Sequence, residues 1–266
     1  MLLHIEHSTT YQYDEPVESG LLQVRLTPKS RDGQKINRWE ITVDGGKKEL
    51  QFTDHHSNIV DLISIAPGQD RIVIGCSGEV EVSQSAGVVG LHRGFMPLWA
   101  FRQSTQLTRP GERVDALVAE LGTDFESDIA RGHALSALIV EHLPYAAGET
   151  TIQTTAEQAL AGKSGVCQDH AHVFLAAMRK LGHPARYVSG YLMMNDRLNQ
   201  DATHAWAEAY MDGVGWIGFD VSNGYSPDER YVRVATGLDY RDCSPISGIR
   251  FGPATENMLV ELHVEQ

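Results

Sequence analysis

The sequence is poor in cysteine and in positive charge and has no long hydrophobic run, and each shortage excludes something. Its three cysteines, Cys76, Cys167 and Cys243, lie far apart with no CxxC pair. Structural zinc draws on closely spaced ligand pairs and a disulfide scaffold on a dense, even set, so the thiols are read as reduced. That usage suits a reducing compartment, and the cytoplasm is the expected location. Lys and Arg total 22 against 35 Asp and Glu, a formal net charge of −13. Non-specific binding to nucleic acid or anionic lipid needs a positive surface field, so neither partner is expected. No apolar stretch reaches membrane-spanning length. Residues 1–24 set Glu6, Asp14 and Glu15 among alternating apolar positions and resemble neither a secretory signal nor an anchor. There is no Gly-rich phosphate loop or EF-hand spacing, and no cofactor or metal is expected.

What is present suits a globular protein of 266 residues, 42% of them hydrophobic, and the pattern divides it into two domains. Residues 1–107 read as β: Leu3, Ile5 and His7 alternate with polar positions, as do Leu22, Val24 and Leu26, and further strands follow over 41–43, 59–65 and 71–82. Short strands between Gly, Pro and Asp turns predict a β-sandwich-like domain, with Asp54-His55-His56 as a solvated turn. Arg109-Pro110-Gly111 breaks the chain, and helical periodicity opens the second domain, 108–266. Val114, Leu117, Val118 and Leu121 form one apolar stripe, closed by Gly122. Leu135, Leu138, Ile139 and His142 form another, on a helix beginning near Asp124 or Ser127. Thr155 and Gln158 have capping-box spacing for a short third helix. Ser164, as N-cap, would then put Cys167 at the third position of a long helix with the stripe Ala171, Phe174, Leu175, Met178 and Leu181. Strands follow over 186–194, 203–211 and 215–221, and a last one over 257–264 belongs to the sheet of either domain. The expected class is α+β, a β-rich domain followed by a central helix packed on an antiparallel sheet.

The chemistry centres on Cys167. Free N–H groups and the dipole at a helix start favour negative charge and hence the nucleophilic thiolate, and Gly165 would let another backbone approach the sulfur. A nucleophilic thiol needs a base and a group to orient it. His204 and Asp220, on consecutive strands, supply these types, provided they share a face. A two-residue Asp212-Gly213 turn would separate them; a three-residue loop, 212–214, pairs Met211 with Gly215 and sets Asp220 opposite Trp206, diagonal to His204. Trp206 would then wall the site, while Ala205, Ala207 and Ala209 line the other face for close packing. His170, three residues after Cys167, is either a cleft residue or an exposed histidine, and His172 is read as packed. Gln168 and Asp169 read as helix-start stabilisers. Cys167, His170, His172 and His204 lack the spacing of a zinc site.

Three ordered blocks, Ser164-Gly165-Val166-Cys167-Gln168-Asp169, Thr203-His204-Ala205-Trp206-Ala207-Glu208 and Trp216-Ile217-Gly218-Phe219-Asp220, resemble the Cys, His and Asp boxes of the bacterial transglutaminase-like superfamily. Residues 4–13, 22–28 and 54–58 resemble the N-terminal region that accompanies this core in bacterial members. The resemblance implies a papain-like site with Cys167 as nucleophile, His204 as base then acid, and Asp220 as orienting carboxylate. Its activity would be that of a cysteine peptidase or amidohydrolase acting through a thioester on a peptide, protein or small amide. Acyl transfer to an amine, or from a thioester donor, would use the same three residues, and a binding module with an idle triad is a third class. Papain-like enzymes place Gln where this chain has Ala161, so the Cys167 N–H and Tyr145 are the oxyanion donors expected, with Gln168, His170 and Trp206 as further substrate-side candidates. Residues 237–245 also resemble a family segment, departing from it at Leu238 and Cys243.

Overall fold

The alternation at the start of the chain becomes β1 (Leu2–Val17), which buries Leu3, Ile5, His7 and Thr9 and leaves their neighbours more exposed. The computed structural model describes residues 1–266. After β1 come β2 (Ser19–Thr27), β3 (Gln34–Asp44), β4 (Gly46–Thr53), β5 (Ile59–Ile65), β6 (Gln69–Val82) and β7 (Val88–Gly90). Four helices follow: α1 (Glu112–Leu121), α2 (Asp128–His142), α3 (Ala156–Gly162) and α4 (Cys167–Lys180). The rest is β8 (Ala185–Leu192), β9 (Asn199–Gln200), β10 (His204–Met211), β11 (Gly215–Phe219), β12 (Tyr231–Gly237), α5 (Tyr240–Cys243), β13 (Ile246–Phe251) and β14 (Glu256–Glu265). No helix is long and apolar enough to cross a membrane.

The strands form three antiparallel sheets, ordered β3-β6-β1-β14-β9, β13-β2-β5-β4 and β12-β8-β10-β11-β7. The first two share one apolar cluster, to which Leu3, Val24, Ile63, Ile74 and Val264 contribute from five different strands. The third sheet carries the site. Its alanine row, Ala205, Ala207 and Ala209, packs with Ala171, Phe174, Leu175 and Met178 of α4 in the second core. Methyl-sized side chains let the helix lie close to the strand, so Phe174, Leu175 and Met178 are fully buried, worth about 1.5–3 kcal/mol apiece, while Leu181 at the helix end is partly buried.

The domain division drawn at residue 107 is crossed in both directions. β7 pairs with β11 of the third sheet. The last strand joins the N-terminal side, β14 lying beside β1 from His4↔Glu265 to Tyr13↔Glu256, and β13 pairs with β2. Periodicity marks a strand but not its neighbour, so neither pairing was legible locally. The polar stretch 195–201, read as a loop, contains β9, which pairs with β14.

Two local expectations are corrected. Ser164 does not cap α4; Val166 does, and Cys167 is the first helical residue rather than the third. Asp169, at the third position, reaches back to accept the Val166 N–H at 2.9 Å and also the Thr150 hydroxyl at 2.7 Å. It satisfies the backbone donor of the N-cap residue itself, the half of a capping box that the third helical position supplies, while the Val166 side chain has no oxygen to supply the other half. Gly165 serves this turn as well, because a Cβ there would come within 2.8 Å of the Asp169 Cβ. The Asp54-His55-His56 turn is solvated only in part: His55 is exposed, but the His56 side chain is buried against Asp242 at 3.0 Å, and Asp54 accepts the His56 and Asn58 N–H groups.

Candidate active site

The hairpin decides the geometry. β10 and β11 are joined by Asp212-Gly213-Val214, with Met211 opposite Gly215 and Ala207 opposite Phe219. Gly213 and Gly215 take φ of +81° and +105°, a region that residues with a Cβ rarely enter. Continued one step, this register sets Trp206 opposite Asp220, so the side chains of His204 and Asp220 lie on one face. The three-residue loop required for that juxtaposition is the one found.

His204 Nε2 lies 2.6 Å from Asp220 Oδ2, with both side chains buried. Burial works against a charged imidazole, but the Asp220 carboxylate and its hydrogen bond, and after them the Cys167 thiol, outweigh it and raise the His204 pKa to about 10. Cys167, partly exposed at the head of α4, is near enough to His204 to add to that rise. Asp220 engages Nε2, leaving Nδ1 for the sulfur.

Asp220 is itself held by residues that were not anticipated. Its Oδ2 also accepts the Tyr231 hydroxyl at 2.7 Å and the Asn223 amide at 2.7 Å, and its Oδ1 accepts the Asn223 N–H at 3.2 Å. Burial opposes the carboxylate charge; His204 and these donors overcome it and lower its pKa. Tyr231 is pushed well above its ordinary range by burial and by Asp220, so it remains a donor. Asn223, three residues after an Asp at a strand end, carries an Asx-turn signal that could have been read. Tyr231 begins β12, a strand not anticipated, and no local signal ties it to Asp220.

Trp206 stands where it was expected, its ring stacked with His204 at 6.2 Å between centroids and 27° between planes. Tyr231 meets Trp206 edge-on at 5.4 Å and closes that side. His170 departs from both of its expected roles. It is buried, with Nε2 2.7 Å from the Leu143 carbonyl and Nδ1 2.7 Å from the Ser222 hydroxyl. A carbonyl only accepts, so Nε2 carries the hydrogen and Nδ1 receives the Ser222 O–H. The neutral ring ties the end of α2 to the turn after Asp220, and burial lowers its pKa. His172 is packed, accepting the Tyr240 N–H at 3.2 Å.

Tyr145 is 60% exposed, on a segment bridged to Gly165, and its pKa is raised by partial burial and then by Cys167. Its ring meets that of His170 edge-on at 6.1 Å between centroids, and its hydroxyl makes no hydrogen bond within the protein. Gln168 is partly exposed and forms no side-chain hydrogen bond. The Cys167 N–H, at the first position of α4, has no carbonyl within the helix to bind. One trio of potential metal ligands, His55, His56 and Asp242, has donor atoms within 4.8 Å of one another. Its Asp242 Oδ2 is already occupied by His56 and the Leu238 N–H.

Comparison with known proteins identifies the family and the fold. Residues 115–221 match the transglutaminase-like superfamily and residues 3–81 the bacterial transglutaminase-like N-terminal region. An uncharacterized protein of Mycobacterium tuberculosis is 28% identical over 98% of this chain and 91% of its own. One from Mycobacterium leprae is 26% identical over 98% of both. Among solved structures, a Cytophaga hutchinsonii protein described as a putative cysteine protease superposes with a TM-score of 0.78 over 100% of this chain and 91% of its own, at 23% identity, and so shares the fold.

Proposed function

We propose that this chain, which carries a transglutaminase-like superfamily core behind a bacterial transglutaminase-like N-terminal region, is a thiol-dependent amide or peptide hydrolase working through Cys167, His204 and Asp220. The observation that supports the reading is the imidazole of His204, held by Asp220 at 2.6 Å and influenced by the Cys167 thiol. In a papain-like cycle the Cys167 thiolate attacks the amide carbonyl carbon, and the oxyanion gathers at the Cys167 N–H with Tyr145 as second donor. The His204 imidazolium gives its proton to the leaving amine, the C–N bond breaks, and a thioester remains. Neutral His204 then takes a proton from water, whose oxygen attacks the thioester and releases the acid and the thiolate. Asp220 keeps the ring oriented and favours its charged form throughout. With an amine in place of water the same thioester would yield a new amide. Three free cysteines suit a reducing compartment, and the cytoplasm is proposed as the site of action.

The test is alkylation of Cys167 by iodoacetamide across pH in the wild type, His204→Ala and Asp220→Ala, with the modified cysteine mapped by mass spectrometry. Reaction well below the ordinary thiol pKa of about 8.5 that disappears with His204 supports the ion pair. Reaction only at alkaline pH in all three proteins refutes it. Peptide and amide profiling then separates hydrolysis from amine transfer, and acylation of Cys167 by an acyl-CoA alone would favour a thioester-fed acyltransferase.

A further inference from the structure

The face of the third sheet turned away from α4 meets the N-terminal region, and between them lies a cavity of about 340 Å³. For a chain of net charge −13 its lining is anomalous: Lys29, Arg31, Arg93, Arg186, Arg233 and His56 all border it. The one carboxylate in the lining is Asp32, engaged with Arg93 at 3.1 Å where both are largely exposed. Beneath the cavity the buried Glu208 lies 2.6 Å from Arg186 Nε and 3.0 Å from Arg233 Nε. One negative charge is thus set against three guanidiniums, because Arg31 faces the same pocket without a carboxylate of its own. Its Nε is buried and has no acceptor. Lys29 adds a fourth positive charge and spends a donor on the Ser57 carbonyl.

A charged group out of water costs free energy unless a partner offsets it, and here the partners are too few. Burial, with Arg233 second, lowers the pKa of Lys29 against a smaller opposing pull from Asp54, and takes that of Arg31 to about 10 despite Glu208 and Asp32, so Arg31 still carries its charge at neutral pH. The planar forks of Arg31 and Arg233 are suited to bidentate recognition of phosphate or carboxylate. A concave, cation-lined space also focuses the field on small anions against the prevailing negative charge.

We propose that this cavity binds a small multivalent oxyanion, bearing phosphate or carboxylate groups, which supplies the counter-charge that Arg31 and Lys29 lack and that Arg233 shares with Arg186 in the single carboxylate of Glu208. The site is distinct from Cys167, which takes no part in the lining, and stands whether or not the hydrolase reading holds. It is adjacent to the catalytic sheet: a smaller cavity that also touches Arg31 is walled by Trp206 and Tyr231, the two rings that flank His204.

Isothermal titration of the full chain with sodium pyrophosphate and with citrate, each against sodium chloride at matched ionic strength, tests this. One saturable event per chain is expected, and the tighter of the two anions identifies the class. Arg31→Gln should weaken binding about tenfold or more, and Arg31→Lys should retain part of it, since a charge-assisted contact is lost in the first and kept in the second. Arg93→Gln, at the exposed rim, should weaken binding less and serves if Arg31→Gln fails to fold by circular dichroism. Heats no different from sodium chloride for both anions, or wild-type affinity in every folded variant, would overturn the proposal.

Discussion

Replacing Asp220 by Asn keeps the shape of the side chain and removes its charge. In the wild type the His204 pKa stands at about 10 against an ordinary 6.5, a preference for the imidazolium of about 5 kcal/mol. Burial pulls the other way, so the preference rests on Asp220 first and Cys167 second. Without the carboxylate, burial becomes the leading influence, and the His204 pKa should drop below 6.5. The Asn amide can also donate to Nε2, which moves the ring hydrogen to Nδ1 and leaves no acceptor for the thiol proton. Alkylation of Cys167 at pH 7 should slow by about 100-fold or more. The direct assay is NMR titration of the ring of His204, which should stay protonated to about pH 10 in the wild type and lose its proton below pH 6.5 in Asp220→Asn. Stability follows with a definite sign. A folded pKa above the unfolded one contributes fully below about pH 6.5, and that contribution is lost as pH rises through about 10. Urea midpoints of the wild type should therefore fall between pH 7 and 10.5 by more than those of the variant. An unchanged His204 titration in Asp220→Asn would refute the argument, because Asp220 would not be what holds the charge.

Three further outcomes follow from the packing. His170→Ala leaves the Leu143 carbonyl and Ser222 hydroxyl unpartnered and should cost about 2 kcal/mol or more in chemical denaturation; a change in KM with stability intact would return His170 to the cleft. Ala207→Leu forces a larger side chain between β10 and α4 and should destabilise by about 1–3 kcal/mol, read from the same curves. Tyr145→Phe should leave the thermal midpoint and Cys167 alkylation unchanged while lowering kcat on a cleaved amide by about 100-fold, and an undiminished kcat would remove Tyr145 from the oxyanion site.

How much was legible differs from element to element. Helices whose start, stripe and stop are all local stood where they were expected: α3 has Thr155 as cap and Gln158 completing the box, and α2 has Ser127 accepting the Ala130 N–H at 3.1 Å. The start of α4 was misplaced because its cap is a carboxylate reaching back from inside the helix, and Ser164 imitated the commoner signal. His170 was misread for a related reason. Helical spacing places it on the Cys167 side of α4, but its two partners come from α2 and from the turn after β11, 27 and 52 residues away in sequence.

The sequence by itself determined the ingredients and a parity condition: with Cys167 at a helix start and His204 and Asp220 on consecutive strands, the last two share a face only if the hairpin loop has odd length, since side-chain direction in a strand alternates with a period of two. The structure met that condition with the loop 212–214. Tertiary structure alone decided what those residues rest on. The last strand returns to β1 rather than to the third sheet, Tyr231 arrives from β12 to hold Asp220, and Lys29, Arg31, Arg186 and Arg233 converge from distant positions on one cavity. Such meetings depend on which strands pair and which layers pack, free-energy differences summed over the whole chain, and no window of neighbouring residues contains them.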